Sequence, residues 1–99
     1  MLRTGVALIS DRLQKAISTY CLQMDNVLVD DLTHDIQHGS LGWFPEEFRA
    51  AIRSGEFTPR NWEELTDVMM DDDDDELLDE YLRLVWSRAA PGRPYPLDE

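Results

Sequence analysis

Apolar residues recur three and four positions apart in five stretches of this 99-residue chain, each bracketed by helix start and stop signals. Nowhere do they alternate long enough to build a strand. The pattern confines the chain to an all-α fold, a compact bundle of about five short helices, and the length allows a single domain. The first stretch runs through Val6, Ile9, Leu13, Ala16/Ile17 and Tyr20 and predicts a helix ending near Leu22. Asp25 caps a second helix with Leu28/Val29, Leu32 and Ile36 on its apolar stripe, Met24 and Val29 as its staple and Gly39 as its stop. Pro45 opens a third, whose Phe48 and Ala51/Ile52 face inward until Gly55. The fourth has the fullest signature: Thr58 as cap, Pro59 at the first position, and Phe57 placed to staple onto Trp62. Trp62, Leu65 and Met69 are expected on its buried face. The fifth carries Leu78, Tyr81/Leu82, Val85/Trp86 and Ala89 and stops at Pro91-Gly92. Residues 1–92 thus read as a helical domain, and 93–99, with Pro94 and Pro96, as an extended or loose tail.

Charge narrows the function classes. Twenty-one acids against nine bases give a net charge of −12. A phosphate-neutralising surface needs the opposite balance, so direct nucleic-acid binding is not expected. Apolar runs are a few residues long, far short of the ~18–20 that a spanning helix needs, and Asp11 and Arg12 cut off any secretory core. No membrane partner is expected. One cysteine, Cys21, forms no intramolecular disulfide, fits a reducing compartment, and closes an apolar face. The expected location is cytoplasmic.

The charge is also segregated. No Lys or Arg lies between Lys15 and Arg49, a window holding Asp25, Asp30, Asp31, Asp35, Glu46 and Glu47. None lies between Arg60 and Arg83 either, where Glu63, Glu64, Asp67, Asp71 to Asp75, Glu76, Asp79 and Glu80 fall. Those windows hold seventeen of the twenty-one acids, whereas the first twenty residues carry a net +2. Solubility and the favourable dipole at the start of the last helix account for one or two aspartates. They account poorly for eleven carboxylates without a counter-ion, whose mutual repulsion opposes the compact state. A face that docks a cationic partner accounts for all of them.

Catalytic signatures are sparse, and no catalytic residue, metal or cofactor is expected. Asp71, Asp73 and Asp75 match the first positions of a calcium loop, but Glu76 stands where that loop needs Gly and Leu82 where it needs Glu. His34 and His38 are spaced to share a helix face with Asp30, Asp31 or Asp35, yet Asp35 replaces the glutamate base of the zinc-protease pattern. They read as helix-surface histidines. Trp62 and Trp86 lie on apolar faces and read as core. Trp43, between glycine-bearing turns and next to Phe44-Pro45, is placed to act as an exposed binding residue.

The stretch Phe44-Pro45-Glu46-Glu47-Phe48, then Ala51-Ile52, Gly55-Glu56-Phe57-Thr58-Pro59 and Trp62-Glu63-Glu64-Leu65, resembles a pattern in bacterial contact-dependent growth inhibition immunity proteins. Tyr81-Leu82 and Val85-Trp86 are similar too. The resemblance covers Phe44 to Trp86, less than half the chain, and rests on helix starts and core aromatics. It implies a small cytosolic protein that binds and neutralises the C-terminal toxin domain of a cognate surface-delivered effector, often a nuclease. It transfers no functional residue, because such families diverge at the toxin-facing surface.

The carboxylate windows nominate the site instead. A nuclease that grips phosphates has a basic groove, which an acidic surface can occupy as a polyanion surrogate. The expected function is inhibition of a basic toxin nuclease, a transfer-RNA-cleaving enzyme foremost. The expected contacts are Glu63, Glu64, Asp67 and Asp71, Asp72, Asp73 and Asp74, followed by Asp30, Asp31 and Asp35, with Trp43 as the apolar contact. The alternatives are an acidic adaptor or nucleic-acid mimic for another basic partner and, more remotely, a small metal-dependent hydrolase using His34 and His38.

Overall fold

A computed structural model describes residues 9–98 and is all-helical over that range, with no strand. Five α-helices follow one another: α1 (Asp11–Tyr20), α2 (Asn26–His38), α3 (Phe44–Arg53), α4 (Pro59–Thr66) and α5 (Asp75–Ala89). Single 3₁₀ turns occupy Leu22–Met24 and Pro96–Asp98. Helix α5 packs against α2, α3 and α4, and α1 against α2, α3 and α4, so these two close the core from opposite sides.

Most helix starts follow their caps. The Asp25 carboxylate accepts from the backbone N–H of Val27 at 2.8 Å and of Leu28 at 3.4 Å, and α2 begins at the next residue. Thr58 and Asn61 close a reciprocal box at the start of α4, where the Thr58 hydroxyl accepts from Asn61 N and the Asn61 side chain accepts from Thr58 N. Thr58→Ala removes one half of this box and is expected to cost about 1 kcal/mol, read as a lower urea midpoint at unchanged m-value. The stop at Gly39 is steric. Its φ is −122°, and a Cβ there would sit 3.0 Å from the Asp35 carbonyl oxygen.

Several boundaries depart from the sequence expectation. Val6 lies outside the described residues; within them α1 starts at Asp11 behind a Ser10 cap, with Ile9 buried. It ends at Tyr20 because Gln23 and Met24 take left-handed backbone angles, φ 52° and 53°, that no α-helix continues through. Helix α3 begins one residue early, at Phe44, with Pro45 second. The larger correction concerns α4, which stops at Thr66. Asp67 turns left-handed, with φ 61°, and shifts the register of the residues after it. Met70 is therefore buried, and Met69, expected on the core face, is 86% exposed.

The core is aromatic at its centre. Phe48 stacks with Phe44 at 5.2 Å between ring centroids and with Trp86 at 6.4 Å, and meets the edge of Phe57 at 5.4 Å. The expected staple forms as an edge contact between Phe57 and Trp62 at 5.5 Å. Cys21 is fully buried, and desolvation pushes its thiol up to about 12, which removes it as a nucleophile. The tail is not loose. Trp86 Nε1 donates to the carbonyls of Pro94 at 3.1 Å and Arg93 at 3.3 Å, Tyr95 and Pro96 are buried, and the Arg83 guanidinium lies 4.3 Å over the Tyr95 ring. An indole N–H that needs an acceptor and a tyrosine ring that needs cover hold residues 93–98 against the helices.

Candidate acidic docking site

The end of α4 and the turn into α5 enclose an open recess of about 360 Å³ lined by Arg60, Glu63, Glu64, Met70, Asp71 and Asp72. Four of the expected contact residues therefore meet in one concavity. Its geometry follows from the left-handed Asp67, which reverses the chain so that residues 68–74 fold back over α4. Glu63 secures that return by accepting the Met70 backbone N–H at 3.2 Å. The Gln23 side chain donates to Asp67 at 3.4 Å. A tight turn then presents the aspartates, with Asp71 N donating to the Asp74 carboxylate at 2.8 Å and Asp74 N to the Asp71 carbonyl at 3.0 Å. One carboxylate oxygen each of Asp71, Asp73 and Asp74 lies within 4.8 Å of the others. Asp71, Asp72 and Asp73 are exposed.

Folding cancels much of the first window's charge and leaves the second largely uncancelled. Arg88 pairs with Asp30, Arg12 with Glu47, and Arg93 with Glu46 at 3.2 Å. Asp35 accepts from the Tyr20 hydroxyl and lies 3.3 Å from His34 Nδ1, and the Tyr20 bond leads the causes that hold its carboxyl below the usual range. Asp31 is exposed. In the second window Asp79 pairs with Arg83, which also holds Asp98. Among the described residues, no ion pair joins a Lys or Arg to Glu63, Glu64, Asp67, Asp71 to Asp75, or Glu76.

Asp30 in the first window lies far from the aspartate turn of the second. Thr33 donates to the carbonyl of Arg88 at 3.0 Å, so the middle of α2 sits beside the C-terminal end of α5. Asp71 to Asp74 lead into its N-terminus, about 20 Å away at the helical rise per residue. Trp43 is also apart. Asp75 shares a small recess with Ile52 and Gly55 at the far end of α3, whereas Trp43 precedes its first residue, about 15 Å back along that helix. The Arg12 guanidinium lies 4.4 Å over the Trp43 ring. Sequence reasoning missed Met70 and Arg60 as lining residues, because both depend on the reversal at Asp67.

Glu47 offers a pH test of one charge contact. Hydrogen bonds from Arg12, first, and Ser10 hold its carboxyl below its ordinary 4.5, so its contribution is present above that value and is lost as pH falls through the lowered one. Glu47→Gln should lose less stability than the parent between about pH 5 and pH 3, by up to roughly 1 kcal/mol for so exposed a pair, as measured by urea unfolding.

The histidine alternative gains little support. His34 and His38 are exposed with ring centroids 4.8 Å apart, but among the described residues no third side chain closes a metal shell with them. No described helix is long and apolar enough to cross a membrane. No protein-family model, curated protein or solved structure matches this chain.

Proposed function

We propose that this chain is an immunity protein that inhibits a basic toxin nuclease by seating its acidic recess on the enzyme's phosphate-binding groove. The observation carrying this reading is the concentration of carboxylates at Glu63, Glu64 and Asp71 to Asp74, in no ion pair among the described residues and outnumbering the Arg60 that lines the same recess, on a turn tied down by backbone hydrogen bonds. A surface fixed before binding loses little entropy on docking, and its potential steers a cationic partner toward one orientation. Asp67 borders the same surface. Asp30 and Asp35 rank behind it, since each already has an internal partner. The inhibitor itself supplies no catalytic group; it acts by occupying the groove. The family resemblance over Phe44 to Trp86 points the same way through its helix starts and core aromatics.

The direct experiment mixes the purified chain with the product of the adjacent gene, expected to be the toxin domain, and follows transfer-RNA cleavage. Stoichiometric inhibition is expected, and the combination Glu64→Gln, Asp71→Asn, Asp72→Asn, Asp73→Asn should weaken it at least tenfold. Undiminished cleavage at saturating protein contradicts the reading and favours an acidic adaptor for another basic partner.

A further inference from the structure

A second recess, lined by other residues, has the opposite chemistry. It opens between α1 and the turn before α3, has a volume of about 450 Å³, and is walled by Ala16, Tyr20, Leu41 and Trp43, with Arg12 and Lys15 at the rim. That volume falls within the range of small-ligand sites, and the lining is mainly apolar with a few convergent polar groups. Arg12 is committed: it bonds Glu47 with Nε at 2.7 Å and stacks on Trp43, which fixes the indole as a rigid wall. Lys15, one turn along, is exposed and has no carboxylate partner among the described residues. No neighbouring acid among the described residues pairs with it. Glu47 is held by Arg12 and Ser10, Asp35 by Tyr20 and His34, and neither Asp11, four residues before Lys15, nor Asp31, whose charge acts on Tyr20, makes an ion pair with it. Other donors around the recess are already used, because the Tyr20 hydroxyl donates to Asp35 and the Thr19 hydroxyl to the Lys15 carbonyl at 2.8 Å. The Lys15 ammonium and the Ser40 hydroxyl remain for a ligand.

We propose that this recess binds a small carboxylate with an apolar body, its ring or branched chain against Trp43, Leu41 and Ala16 and its anionic end at Lys15. Against a net charge of −12, the attraction offered to an anion is local: the unpaired Lys15 ammonium at the rim. Lys15 therefore sets the preference for an anionic end. A cationic analogue would be repelled at the rim by Lys15, and a neutral one would keep the packing and lose the charge contact. The site is separate from the acidic docking surface and stands or falls independently of it.

The test is a ¹H–¹⁵N titration of the full chain with 3-phenylpropionate, 3-phenylpropionamide and 3-phenylpropylamine, reading the Trp43 indole N–H and the Lys15, Thr19 and Leu41 amides. The carboxylate is expected to give saturable shifts with a dissociation constant on the order of 1 mM, the strength of a fragment-sized ligand. The amide should bind about fivefold more weakly, as for the loss of one exposed charge contact, and the amine more weakly still. Lys15→Gln should bring the carboxylate down to the amide's affinity and leave the amide unchanged. Shifts that never saturate or that fall elsewhere overturn the proposal, as does an amine that binds as tightly as the acid or a Lys15→Gln variant that binds the acid undiminished.

Discussion

Trp86→Ala is expected to lower the unfolding free energy by about 3–5 kcal/mol, a large share of the 5–15 kcal/mol available to a domain of this size. The side chain is 2% exposed, stacks on Phe48, and anchors the tail through its indole N–H. Truncation therefore opens a cavity beneath the aromatic cluster and leaves the Arg93 and Pro94 carbonyls without their donor. Urea unfolding measures the first effect, and protease sensitivity of residues 93–98 measures the second. Phenylalanine separates the two contributions. Trp86→Phe keeps most of the packing and loses the bond, whereas Trp62→Phe has no such bond to lose, because the buried Trp62 Nε1 has no partner. The former should cost about 1 kcal/mol more than the latter.

Reversing Glu64, Asp71, Asp72 and Asp73 to lysine should slow association with a basic toxin domain on the order of 100-fold at low salt, and much less at high salt. Steered complexes form at about 10⁸–10⁹ M⁻¹s⁻¹ and unsteered ones at about 10⁵–10⁶ M⁻¹s⁻¹, so removing the field leaves room for a change of that size. These four side chains are chosen because none of them holds the fold: Glu63 and Asp74, which accept backbone N–H groups, are left intact. Lysines before α5 oppose its dipole by about 0.3–1 kcal/mol each, so circular dichroism must show the variant folded before its rate is read. An unchanged rate at low salt rules this surface out as the docking face.

Helix number and most caps were legible in the sequence because each rests on local chemistry. Asp25, Thr58-Pro59 and the spacing Leu78-Leu82-Val85-Trp86 act within a turn or two, and all form as expected. What escaped was anything decided by a single backbone angle or by distant pairing. A left-handed Asp67 exchanges the roles of Met69 and Met70, and two left-handed residues after Cys21 shorten α1. The charge windows were legible as composition but not as surface. Arg88 and Arg93 come back from the far end of the chain to meet Asp30 and Glu46, which a linear reading of counter-ions does not reveal. The tail follows the same rule, since its order depends on an acceptor sought by Trp86.

Amide hydrogen exchange on this chain, alone and saturated with the basic toxin domain proposed as its partner, tests the central claim most directly. Protection gathered on residues 63–74, with 30–35 exchanging as in the free protein, is the expected result. Protection confined to the face opposite that turn, with 63–74 exchanging freely, would contradict it.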